Sequence, residues 1–352
     1  MSELRLPAVR RGALLRSIRR LPLGLRMLAI AVVAIVAIVF PAFEGSDSFV
    51  MYTATQALVY GLAIVSLNLL VGFGGQISLG HAGFLAIGGY TAALLAIHVS
   101  GLPVPIEVLG AGAATAVIGF LLGLPTGRLR GHYLAILTLG FGVAIPEIAL
   151  NWTSLTQGRT GLTVPPPRIG NTIFPTATEL YYFALVVLVI CLVAIFSVLA
   201  SNTGRAFAAV RDSEAAATAM GINVTATKVL LFTTSAFFAG VAGDLDAHLQ
   251  GLVSPDSFPF SLSLFFFAAV VLGGLASVWG SLAGAVILAV IEAETSSSSG
   301  WEPVILGGAV VVLLLFLPRG LADFPYRAQQ ALRGRRGREP RAVTPRSRVG
   351  VR

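Results

Sequence analysis

Gly74-Gly75-Gln76-Ile77-Ser78-Leu79-Gly80-His81-Ala82-Gly83-Phe84 separates two apolar runs, 51–72 and 82–99, each about long enough to cross a bilayer. Four of these eleven residues are glycine, three are polar, and the glycines resume at Gly88 and Gly89. In lipid, every backbone N–H and C=O needs a partner inside the protein. Such a stretch therefore persists only where other spans bury it or where it lines a path. Close glycines also let helices approach, with small polar residues satisfied between them. Either reading demands a multi-span protein around the stretch, and the first makes Gly75, Gln76, Ser78, Gly80, His81 and Gly83 candidates for a translocation path or gate.

Composition extends that reading to the whole chain. Of 352 residues, 56% are hydrophobic and 11% charged, too apolar a balance for one water-soluble core. Apolar runs fall at 24–42, 51–72, 82–99, 105–125, 132–151, 179–200, 229–250, 259–277, 280–296 and 302–318. The expected fold is an all-α polytopic membrane protein of about ten spans, some broken by glycine. Its parts are a basic cytoplasmic N-terminus (1–23), a transmembrane region (24–318) and a basic, disordered cytoplasmic tail (319–352). Of the 24 basic residues, 17 precede residue 27 or follow residue 318, and an even span count places both termini on one side with Arg128, Arg130, Arg205, Arg211 and Lys228. That is the positive-inside pattern of a multi-pass membrane protein with both termini cytoplasmic; Arg159 and Arg168, in the outer loop 152–178, run against it. Trp152 and Trp301 mark span ends. The tail lacks interleaved aromatics, which argues against nucleic acid and for anionic lipid headgroups. No small-x-small site follows the first run, so an uncleaved span is expected there. Cys191 is alone and allows no internal disulfide.

The polar stretch 201–228 stands out between two apolar runs. Thr203 and Asp212 are candidate helix N-caps, Gly221 is a candidate left-handed stop, and Arg211 and Glu214 are spaced to pair on one helical face. Phe207, Val210 and Met220 would offer apolar contacts. The pattern fits a docking surface for a soluble partner and equally a solvated connecting loop. Lys228 is the sole lysine and lies outside any Gly-x-x-x-x-Gly-Lys loop, so ATP bound in the P-loop manner would have to be in another subunit. No cofactor is expected on this chain.

The segment Gly75 to Phe84 resembles a signature of the permeases of branched-chain amino acid ABC importers. Three further blocks resemble the LivM-type subunit of that family: Gly127-Arg128-Leu129-Arg130-Gly131 through Gly142, Gly204-Arg205 through Ala217 to Gly221, and Ser254-Pro255-Asp256-Ser257-Phe258 with Gly273-Gly274 and Leu317-Pro318-Arg319-Gly320-Leu321. Together they cover about residues 50–323. The resemblance implies a multi-pass permease subunit, not an enzyme. It would work with a homologous LivH-type permease, two ATP-binding subunits and an extracytoplasmic substrate-binding protein. It also implies that Gly204, Arg205, Arg211, Glu214, Ala217 and Gly221 belong to helices coupling the permease to its ATPase. Three positions depart from the pattern: Val143 for an acidic residue, Ala276 for glycine and Ser281 for proline. Gly273-Gly274-Leu275-Ala276-Ser277 and Gly280 to Gly284 also faintly echo the opening segment. Branched-chain or related apolar amino acids are the implied cargo, with urea and short amides as the alternative within the same machine.

Ionisable residues inside spans are functional candidates by default. Asp244 and His248, four apart, share a helical face, with Asp246 nearly opposite. Asp244 and Glu147 are the candidates for a polar path. They would also serve the alternative of a secondary transporter driven by an ion gradient. Counting from Lys228 at about 1.5 Å per residue places His248 at the outer interface, where water is expected to reach it. Glu292 and Glu294 are expected to be solvated at a span end. The four histidines, His81, His98, His132 and His248, are scattered without metal-ligand spacing, so no metal site is expected, and no nucleophile, base and orienting group cluster as a hydrolase requires.

Overall fold

The computed structural model describes residues 48–295, with gaps at 100, 128, 130, 170–171 and 174–175, together with 39–41 and 307–308. Among the described residues eight helices are long and apolar enough to cross a membrane. They coincide with the second to ninth expected runs. The first and tenth runs, 24–42 and 302–318, lie almost wholly outside the described residues, as do both basic termini.

The helices are α1 (Ser48–Asn68), α2 (His81–His98), α3 (Val104–Gly123), α4 (His132–Asn151), α5 (Ala177–Ala200), α6 (Asn202–Asp212), α7 (Glu214–Ala219), α8 (Val224–Gln250), α9 (Phe260–Gly273) and α10 (Val278–Thr295). Their ends follow local chemistry. Thr176 and Glu179 form a capping box on α5, and Asn223 caps α8 by accepting the Ala226 N–H. Gly251 closes α8 in the left-handed conformation. The short helices α6 and α7 are capped by Ser201 and Ser213, which accept from Thr203 N and Ala216 N. This corrects the expected caps Thr203 and Asp212: each serine stands outside its helix with extended backbone, the geometry an N-cap needs.

Helix α8 is the hub, lying between α2 and α3 and touching α1. Without a strong hydrophobic drive between helices in lipid, close packing depends on small side chains. A methyl at Gly88 would sit 2.6 Å from Gly240 Cα, and one at Gly112 would sit 2.8 Å from the Phe237 ring. Gly240 in turn accommodates Thr115 and Ala111 of α3. On the far side, α10 packs along α1 and α9, where Gly284 meets the Ala269 carbonyl.

At one end of the bundle the loop after α4 folds back over the helices. Leu162–Thr163 pairs antiparallel with Leu252–Val253, and Val164 N donates to Gly251 O at 2.9 Å, so the loop is strapped to the end of α8. At the other end lie α6 and α7. Helices α4 and α5 leave broad apolar faces exposed, including Ile136, Val143, Val186 and Ile190, as a surface for lipid or another membrane subunit requires.

Candidate functional site

The break between α1 and α2 begins as a π-helical turn, Leu69–Phe73. Gly74, Gly75 and Gln76 donate to Leu69, Val71 and Leu70 carbonyls at 3.0–3.1 Å, and Gly75 has φ +67°. The backbone then runs without helix to Gly80. Directly beside it lies a second break, between α9 and α10, with Gly274 at φ +107° and Ala276 at φ +60°. The faint echo in the sequence is thus a spatial partner of the first segment.

Asn68 joins the two breaks. Its amide donates to Ser277 O at 3.1 Å and Ser281 Oγ at 2.6 Å, while its carbonyl accepts from Ala276 N at 2.9 Å. Gly72 allows this approach, because a Cβ there would meet Asn68 Oδ1 and lie 3.0 Å from Ala276 Cα. Sequence reasoning passed over Asn68, although an amide inside an otherwise apolar run was a signal available there.

The first turn of α2 is held by three other helices. Leu79 N donates to Thr138 Oγ1 of α4 at 3.1 Å, and Ala82 N to Ser263 Oγ of α9 at 2.9 Å. His81, fully buried, faces Ser66 Oγ at 2.7 Å. Since that hydroxyl donates to Ala63 O, the ring bonds it through a protonated Nε2. Ser235 Oγ of α8 then donates to Ser66 O. Ser78 Oγ and His81 Nδ1 are buried without a hydrogen-bond partner among the described residues.

The candidates for the path therefore divide. Gly80 and Gly83 serve close crossing with α4, against Gly142 and Phe141. Gln76 is buried and turns back to Gly74 O. Gly75 is exposed beneath the Arg211 side chain, whose Cβ would be 3.3 Å from a methyl at that position.

Arg211 links the break to α6. Its Nη1 donates to Gly72 O at 2.8 Å, and the guanidinium also meets Asp212 at 3.3 Å. Glu214 pairs instead with Lys228 Nζ at 2.7 Å, where the lysine side chain is 1% exposed. The expected Arg211–Glu214 pair is replaced because the cap at Ser213 breaks the helix between them, ending their common face. Phe207, Val210 and Ala217 point into the protein's own core, and Gly204 packs on Leu199. Of the expected apolar contacts only Met220 is free, at 82% exposure, beside exposed Ala215, Ala216 and Ala219. Arg205 is exposed and bonds Asn202 Oδ1 and Ala200 O, while Gly221 has φ +81° with open space around it.

Glu147 lies exposed on α4. Asp244, Asp246 and His248 are all buried, contrary to the expectation that water reaches His248, since α3 and the strapped outer loop cover the end of α8. Glu292, expected to be solvated, accepts from Tyr60 Oη at 3.1 Å and Gln56 Nε2 at 3.3 Å.

The sequence that builds these two adjoining breaks and the short helical pair falls within a known family. The family profile described as branched-chain amino acid transport system, permease component, matches residues 49–318. The chain belongs to this permease family. The permease is 38% identical over 292 residues to the high-affinity branched-chain amino acid transport system permease protein LivM of Salmonella typhimurium, covering 76% of this chain and 68% of the relative. The LivM protein of Escherichia coli gives the same identity and coverage. The LivH protein of Salmonella typhimurium is 26% identical over 289 residues, 77% of the permease and 93% of the relative. No solved structure matches.

Proposed function

We propose that this permease carries branched-chain amino acids as one membrane subunit of an ATP-binding cassette importer. The observation that carries the cargo is that the LivM and LivH relatives alike are described as branched-chain amino acid transport permeases, and the 38% identity with LivM against 26% with LivH supports a LivM-type subunit. A LivH-type permease, two ATP-binding subunits and an extracytoplasmic binding protein complete the machine. In it ATP is bound and hydrolysed outside this chain, both termini and the α6–α7 end face the cytoplasm, and the outer loop faces the binding protein.

The two breaks form the moving part. Bent, non-helical backbone can change direction without unfolding a whole span. Ser78 Oγ and His81 Nδ1, buried and without hydrogen-bond partners among the described residues, provide polar groups for a path that opens around them. The exposed alanine-rich face of α6 and α7, with Met220, Arg205 and Gly221, is the docking surface for an ATPase groove. Motion there reaches the break through two connections: Arg211 to Gly72 O, and Glu214 to Lys228 at the base of α8. This route supports a lever in which ATPase closure moves α6 and α7 as a unit and displaces the Leu69–Phe73 turn.

The deciding experiment is uptake of radiolabelled leucine into vesicles holding the permease with its partner subunits. ATP is supplied on the nucleotide-binding side, with and without the binding protein. ATP- and binding-protein-dependent uptake is expected. Uptake of urea and not leucine would change the cargo, and gradient-driven uptake by this chain alone would overturn the importer.

A further inference from the structure

Glu107, on the first turn of α3, and Asp244 and His248, one turn apart on α8, are buried together with one ligating atom of each within 4.8 Å of the others. His248 Nδ1 lies 3.3 Å from the Pro165 carbonyl of the outer loop, and its Nε2 lies 3.2 Å from Glu107 Oε2. A carbonyl can only accept, so Nδ1 carries a proton. With a neutral ring, Nε2 and the Glu107 carboxylate would present lone pairs to each other. With a charged ring, that contact is satisfied, but both oxygens of fully buried Asp244 still have no hydrogen-bond partner among the described residues. Two carboxylates against one imidazolium would also leave a net negative charge in a pocket buried within the protein, an arrangement of high desolvation cost.

A divalent cation answers all three groups at once. Its two positive charges balance two carboxylates while neutral Nε2 acts as a ligand. The donor set of one imidazole and two carboxylates matches zinc-class ions; calcium takes six to eight oxygens and magnesium keeps most of its water. Tetrahedral zinc with bonds near 2.0–2.1 Å has ligand edges of about 3.3 Å. The Nε2 to Oε2 separation of 3.2 Å has that length. The Nδ1–H to carbonyl bond is the outer-shell contact that fixes a metal-binding imidazole.

We infer that Glu107, Asp244 and His248 form a binding site for a zinc-class divalent cation that clips α3, α8 and the outer loop together. The inference is independent of the permease's cargo. The full-length permease, purified in detergent and stripped with chelator, is incubated with zinc chloride, desalted and assayed for retained metal. About one zinc per chain is expected, with a zinc-dependent rise in the thermal unfolding midpoint. Cobalt(II) in place of zinc should give the visible absorption of a tetrahedral N/O site. Asp244→Asn and His248→Gln should each weaken zinc binding by about tenfold or more, while Glu147→Gln should leave it unchanged. Absence of retained zinc and of any midpoint shift in monodisperse wild-type protein would overturn the site. So would undiminished binding in folded Asp244→Asn and His248→Gln proteins.

Discussion

Asn68 and Arg211 each use one polar side chain to hold irregular backbone in place. Asn68→Leu keeps the volume but takes away the acceptor of Ala276 N, while Ser277 O keeps the Ser281 N–H, and the one orphaned N–H costs about 1–3 kcal/mol. The expected result is a lower thermal midpoint in detergent, and an unchanged midpoint would show that Asn68 does not hold the second break. Arg211→Glu places a carboxylate against the Gly72 carbonyl without adding charge to a span. ATP-driven uptake should fall at least about tenfold, equivalent to 1.4 kcal/mol, with membrane insertion intact. Normal uptake would refute the coupling role. Lys228→Met removes the buried cation that Glu214 meets and should destabilise by about 1–3 kcal/mol, whereas adding Glu214→Gln should recover part of the loss. An additive pair in thermal unfolding would contradict that coupling. None of these partners was readable in advance: Arg211 and Gly72 are separated by 139 residues, and the visible spacing of Arg211 and Glu214 pointed to a different pair.

At the scale of elements, the spans were legible because apolar runs of membrane length have few other uses. The eight described spans begin and end close to where the runs do. Their pairing was not legible, since helices apolar on all sides carry no stripe to say which face meets which neighbour. Steric detail decided it: Gly88 faces Gly240, and Gly112 faces Phe237. Gly240→Leu should therefore separate α8 from α2 and α3 and lower the yield of monodisperse protein severalfold. In contrast Gly140→Leu, at a position with no atom near its Cβ, should be tolerated. Similar yields for the two variants would mean that the glycine contacts do not determine packing. The boundary between α6 and α7 was likewise a matter of geometry, because Ser213, Asp212 and Thr203 are all chemically competent caps and only backbone direction distinguishes them.

For the whole molecule, the proposed orientation places α6 and α7 on one side of the membrane and the outer loop on the other. With Cys191→Ser as background, Met220→Cys should react with an impermeant thiol reagent from the cytoplasmic side and Arg159→Cys from the outside. Labelling of both from one side would reject the topology. Composition, the ten apolar runs, the distribution of arginine and the glycine-rich segment determined that the chain is a polytopic helical protein, and its motifs placed it among permeases. These are properties of residue types and short spacings, and hydration and backbone geometry act on them locally. Only tertiary structure set the second break against the first, turned Asn68 and Arg211 toward particular carbonyls, and buried Glu107 with Asp244 and His248. Those relations join residues 137 to 209 positions apart, across helices whose approach depends on individual side-chain volumes, and no local pattern encodes such a meeting.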